Sequence, residues 1–454
     1  MNGGHVFARH TKALLPTVVG GDGVWLIDSA NKRYLDASGG AAVSSLGHSN
    51  IAVIEAAKTQ LDKIAFAHTG FFTSRAAEEL ADKLVSLAPA GIDRVYQVSG
   101  GSEAVEAAIK LGRQYFLEIG EPKRKHIISR WQSYHGNTLG ALATGGNRWR
   151  RAQFEPLLPS AMHQIDACNY WRFSNDGESE FDYGQRIANQ LEDKILELGE
   201  NSVAAFFAEP VVGATMGAVP AVAGYFARIR QICDKYGVLL VFDEVMCGAG
   251  RTGTFFASEQ EFMAEGEVVV PDIICLAKGL GAGIQPIGAM MSSKKIYDAI
   301  AAGSGFFQHG HTYMGHPVSA ATGLAVIKQI EQHNLLSNVK NMGAKLMQAL
   351  KDRFEHNPYV GDIRGRGLFL GVELVADKES KQPFDAQLGL NKLIKKAAMA
   401  EGMVCYPFGG TIDGKSGDHV LLAPPFIIDE THVEMIVDRL DKALQKSLVE
   451  IGVL

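Results

Sequence analysis

The chain has 454 residues, 46% hydrophobic and 21% charged, with a formal net charge of −6 and a pI near 6.2. This length supports a multi-layer core in two or three domains, the composition is too apolar for a disordered chain, and the acidic balance leaves no basic footprint for nucleic acid. The five cysteines lack redox or metal spacing, the Met1–His10 start lacks the apolar segment of a secretion signal, and no apolar run approaches the roughly 20 residues of a membrane span, so a cytoplasmic protein with no membrane partner is expected.

Residues 18–36 alternate apolar and turn residues and predict short antiparallel strands joined by glycine turns. From about residue 50 to 350 the pattern becomes helix, strand, helix, strand. The spacing predicts helices over Ala76–Leu87, Ser102–Leu117 and Ala221–Lys235. It predicts strands over Arg94–Val98, His126–Ile128, Ala204–Ala208 and Tyr236–Phe242. Such alternation implies a mainly parallel sheet covered by helices on both faces. Beyond residue 320 helices dominate, with a strand-like Gly367–Leu374 and a mixed tail, which predicts a smaller α/β domain.

Polar residues recur just after apolar runs: Ser99–Ser102, Tyr134-His135, Glu209, Asp243 and Lys278. In open parallel sheets ligands bind beyond the carboxyl ends of the strands, so these clusters point to one pocket. A lysine closing a buried strand is poorly hydrated, which favours its nucleophilic amine. With a strand-end aspartate it meets the needs of pyridoxal phosphate: the lysine bonds to the cofactor and the carboxylate keeps the pyridine nitrogen protonated. Taken singly, each feature has an ordinary alternative. Lys278 can snorkel from a strand edge, Asp243 can cap a turn, Ser102 can N-cap a helix, and Tyr134 can be core. Val245 would share a face with Asp243 if that strand continued. His309, His311 and His316 lack carboxylates at metal-ligand spacing, so no metal is expected.

The residues Ser99–Glu106, Tyr134-His135-Gly136, Glu209-Pro210, Asp243-Glu244-Val245, Ala277-Lys278-Gly279 and Thr312–Pro317 resemble the class III aminotransferases, in the family's order and over nearly the whole chain. The resemblance implies fold type I. A large domain (66–325) would hold a mainly parallel seven-stranded-type sheet, and a smaller α/β domain would be built from both termini (1–65 and 326–454). It also implies roles. Lys278 is similar to the Schiff-base lysine and proton shuttle, and Asp243 to the partner of the pyridine nitrogen. Gly101 and Ser102 resemble phosphate donors. Tyr134 resembles the ring-stacking aromatic, and Val245 the residue on the opposite ring face. His135 would support the turn, and Glu209 belongs to the cofactor-binding set. Thr312 resembles the hydroxyl that reaches a neighbouring subunit's phosphate, which implies a homodimer or a dimer of dimers.

Relatives that handle α-amino acids or 4-aminobutyrate usually carry an arginine in the stretch matching Val404–Phe426. Here that stretch has none; Leu421 stands at the best-matching position. The position used by amine-type relatives falls near Gly414, with Lys415 the only nearby cation. Asn137 stands where acetylornithine-type relatives carry a second arginine. Ala41 replaces larger pocket residues, and Phe71 and Phe72 are candidates for an apolar wall. The expectation is an omega-aminotransferase that moves an amino group from a primary amine or ω-amino acid to a keto acid, pyruvate first. The alternative is a racemase or decarboxylating aminotransferase of the same family.

Overall fold

Seven strands form the central sheet of the computed structural model, which describes residues 5–454, so the first four residues of the Met1–His10 stretch lie outside it. Their order is Ile92–Val98, Gly288–Ser293, Ile273–Leu276, Leu239–Asp243, Val203–Ala208, His126–Arg130, Met162–Ile165. All run parallel except Gly288–Ser293, which pairs antiparallel with both neighbours. The central strands are apolar throughout because both faces are covered. Alternate residues divide between two cores. Phe206, Leu240 and Phe242 join Tyr183, Ile187 and Phe226 on one side. Phe207, Leu239 and Val241 join Val105, Ala108 and Leu111 on the other.

Local chemistry sets the helix ends. Ser74 caps Arg75–Leu87 by accepting from the Ala77 N–H at 3.2 Å. The helix expected from Ala221 begins at Tyr225, because Gly224 sits at φ 82. It runs through Tyr236, where the next strand was expected to start, and ends against left-handed Gly237, so the strand begins at Leu239.

Two further sheets flank the large one. Val18–Asp22, Trp25–Asp28 and Arg33–Asp36 form an antiparallel meander, and Met403–Val404 pairs parallel with Arg33–Asp36. The amino- and carboxyl-terminal parts of the chain thus share one sheet. Val360–Arg366, Phe369–Leu374, Asp418–Leu422 and Tyr406–Gly409 form the third, antiparallel throughout. Among the described residues no helix is long and apolar enough to cross a membrane.

Candidate active site

The strands Ile92–Val98, His126–Arg130, Val203–Ala208, Leu239–Asp243 and Ile273–Leu276 all point their carboxyl ends toward one cavity of about 380 Å³. Gly101, Ser102, Tyr134, His135, Glu209, Asp243, Val245 and Lys278 all lie on its wall.

Lys278 follows its strand by two residues, in a left-handed backbone conformation (φ 47). This costs a non-glycine residue energy, and such strain is found where the surrounding structure holds a functional side chain in place. Burial depresses its ammonium to about 8, against the opposing pull of Asp243. The amine is therefore partly neutral near pH 8, where an ordinary lysine is fully charged.

Asp243 ends its strand fully buried. Its Oδ1 accepts from the Val245 N–H at 3.0 Å, and its Oδ2 lies 2.8 Å from His135 Nδ1. The strand stops at Asp243, so Val245 reaches the cavity through this turn and not by continuing strand alternation. Burial lowers the pKa of the His135 imidazolium, but the carboxylates of Glu209 and Asp243 outweigh that and raise it above the ordinary value. His135 Nε2 is buried and has no hydrogen-bond partner among the described residues.

The helix Gly101–Glu118 starts at the cavity. Gly100 occupies its N-cap position without a side-chain cap. Ser102 lies inside the first turn and accepts from the Asn137 N–H at 2.9 Å, so it is not the cap. First-turn N–H groups lack intrahelical partners and favour an anion. A Cβ on Gly101 would meet Val245 Cγ1 at 2.7 Å, so glycine lets Val245 lie against the helix start. Gly136 has φ +138, and a Cβ there would meet Ser102 Oγ at 2.7 Å.

Glu209 is already committed. Its Oε1 accepts from the Tyr134 N–H at 2.9 Å, and Arg130 Nη2 donates to its carbonyl at 2.6 Å with its Oε2 at 3.5 Å. Arg130 is fully buried and also lies over the rings of Tyr225 and Phe226. Sequence reasoning missed Arg130; its signal was an arginine two residues past the expected strand His126–Ile128, at the end of the strand that forms.

The remaining candidates do not wall this cavity. Ala41 is half-buried in the Gly39–Ala42 turn, and its neighbour Val43 lines the cavity instead. Phe71 and Phe72 are exposed and line a separate groove with Phe66 and His68. Thr312 is exposed and away from its own chain's cavity. Lys415 is exposed in a turn where Asp413 Oδ1 accepts its N–H at 2.8 Å. Leu421 is 1% exposed and packed with Val211 and Phe369, so its position contributes apolar core.

The amine, the paired carboxylate and the glycine-lined helix start fit pyridoxal phosphate. The comparisons agree. The sequence profile of the family Aminotransferase class-III matches residues 6–444. An uncharacterized aminotransferase of Schizosaccharomyces pombe is 42% identical, covering 95% of this chain and 93% of its own. Gamma aminobutyrate transaminase 3 of Solanum lycopersicum is 35% identical, covering 96% and 82%. The omega transaminase of Pseudomonas jessenii, solved in complex with PMP, superposes with a TM-score of 0.91 at 34% identity over 99% of this chain and 97% of that one. The chain therefore belongs to the class III aminotransferases of fold type I, and these enzymes use pyridoxal 5'-phosphate.

Proposed function

We propose that this aminotransferase is an omega-aminotransferase, moving an amino group from a primary amine or ω-amino acid to a keto acid, with pyruvate the preferred acceptor. The observation that carries this reading is the missing dicarboxylate clamp. Leu421 is sealed in an apolar core at the arginine position of other relatives, and Glu209 already has Arg130 as its cation. The likeness to the omega transaminase of Pseudomonas jessenii supports it.

In this reading Lys278 anchors the cofactor and moves the proton at the nitrogen-bearing carbon of the substrate. When bound, the cofactor supplies an electron sink for that carbon. Asp243 would hold a positive ring nitrogen, and His135 holds Asp243. Gly101 and Ser102 would hold the phosphate at the helix start, and Tyr134 and Val245 would contact the ring. Glu209 braces the Tyr134 backbone. Thr312, turned outward, serves a neighbouring subunit's site, so the active unit is a homodimer or a dimer of dimers. The five unpaired cysteines, all buried, support a reducing, cytoplasmic setting.

The test is kcat/KM for pyruvate and for 2-oxoglutarate with one common amine. One lost charge-assisted carboxylate contact is worth roughly 1.5–3 kcal/mol, or about one to two decades. Pyruvate should lead by that order; a clear lead for 2-oxoglutarate would overturn the specificity assignment.

A further inference from the structure

The Arg148–Arg151 turn carries three arginines, and the fold uses each differently. Arg151 is buried and engaged: Nη1 donates to the Gly145 carbonyl at 2.9 Å, and Nη2 pairs with Glu155 at 3.1 Å. Arg148 is exposed and lies over the Trp131 ring at 4.3 Å. Arg150 is half-buried. Its Cζ lies 4.7 Å from the centroid of the Tyr134 ring, 5.3 Å from Phe408 and 5.9 Å from Trp149. Among the described residues its guanidinium has no ion pair and no hydrogen bond, and its Nε is buried without a partner.

This arrangement suits a ligand. Aromatic contacts take up none of its N–H groups, which stay free in the fork that matches a carboxylate. A buried donor without an acceptor, as Arg150 Nε is here, is costly, so the site gains by receiving an anion. The charge is placed to matter, because Tyr134 lines the cavity. Burial is the main cause of the depressed Lys278 pKa, but the Arg150 charge also contributes.

The facing loop cannot supply the cation instead. Gln132 Nε2 donates to the Gly410 carbonyl at 2.6 Å and pins the loop. A Cβ on Gly414 (φ +87) would meet the Trp149 nitrogen at 2.8 Å, so that position has no room for a side chain. Lys415 is exposed and lines no part of the cavity.

We infer that Arg150, framed by Tyr134, Phe408 and Trp149, receives the carboxylate of the keto-acid acceptor at the rim of the cavity. This rests on the omega-aminotransferase reading and deepens it. One guanidinium holds one carboxylate, which suits a monocarboxylic acceptor and leaves the second carboxylate of a dicarboxylic one unpaired.

The experiment uses holoenzyme and the variants Arg150→Leu, Arg150→Lys and, as a control cation at the chain start, Arg9→Ala. Half-reactions are followed separately: first with 1-phenylethylamine, which has no carboxylate, and then, on enzyme already aminated by that donor, with pyruvate or with butanal, an acceptor without a carboxylate. Arg150→Leu should lose roughly 10–100-fold in rate constant with pyruvate, the worth of one charge-assisted contact. It should stay within about twofold with butanal and with the amine, and Arg150→Lys should restore part of the loss because a point charge replaces the fork. Acetate binding by calorimetry, independent of turnover, should weaken in parallel. Equal losses with pyruvate and butanal would overturn the inference, since they mark a structural role in holding Tyr134. Unchanged pyruvate kinetics in Arg150→Leu, or a selective loss in Arg9→Ala instead, would overturn it too. Failure of the parent enzyme to accept the amine would count against the omega reading alone, because acetate binding still reports on Arg150.

Discussion

His135 Nδ1 and Asp243 Oδ2 lie 2.8 Å apart with both side chains buried, and Asp243 Oδ1 is held separately by the Val245 N–H. One carboxylate is thus fixed through both oxygens before any ligand arrives. His135→Phe keeps a ring but removes the contact to Oδ2, and should lower kcat about tenfold, the cost of roughly one buried polar contact. Asp243→Asn should retain cofactor but lose about two decades or more, since an amide cannot hold a positive ring nitrogen. Steady-state turnover at saturating cofactor checks both, and parental rates in Asp243→Asn would remove it from the mechanism.

Arg130 and Glu209 form a buried pair beneath Tyr134. Arg130→Met leaves the Glu209 charge uncompensated, and breaking such a pair costs about 3–5 kcal/mol. Urea denaturation should show a loss of that order, with partial recovery in the double variant with Glu209→Gln. A change under about 1 kcal/mol would show that water solvates the carboxylate.

Lys278 has its ammonium depressed to about 8, chiefly by burial. The neutral amine is the form that condenses with an aldehyde, and its fraction increases as pH rises through the folded value. Reconstitution of the cofactor-free protein should therefore accelerate between about pH 7 and 9 and level off above. A rate that keeps climbing toward pH 10.5, the ordinary lysine range, would show that the amine is not desolvated.

Much of this site is visible in the sequence because a strand end is a local signal. Apolar runs stop at Asp243 and Lys278, and sheet geometry brings those ends together. What escaped depends on distant contacts. The Gly288–Ser293 strand, GAMMSS, has no β-branched residue and forms because two neighbouring strands enclose it. Arg130 closes its strand unremarkably until the fold sets Glu209 beside it. The aromatic frame of Arg150 combines Tyr134 and Trp149 with Phe408, from a separate sheet. Thr312, a family signal, and Phe71 and Phe72, the candidate apolar wall, do not line one chain's own cavity.

The most direct test of the central claim is a single turnover with amine donor and no acceptor. Holoenzyme mixed with 1-phenylethylamine should release carbonyl product in an amount equal to its active sites and then stop, while Lys278→Ala should release none on the same timescale. Pyruvate added afterwards should restore the original absorbance of the bound cofactor. An unchanged cofactor with racemised donor, or stoichiometric product from Lys278→Ala at the parental rate, would contradict the account.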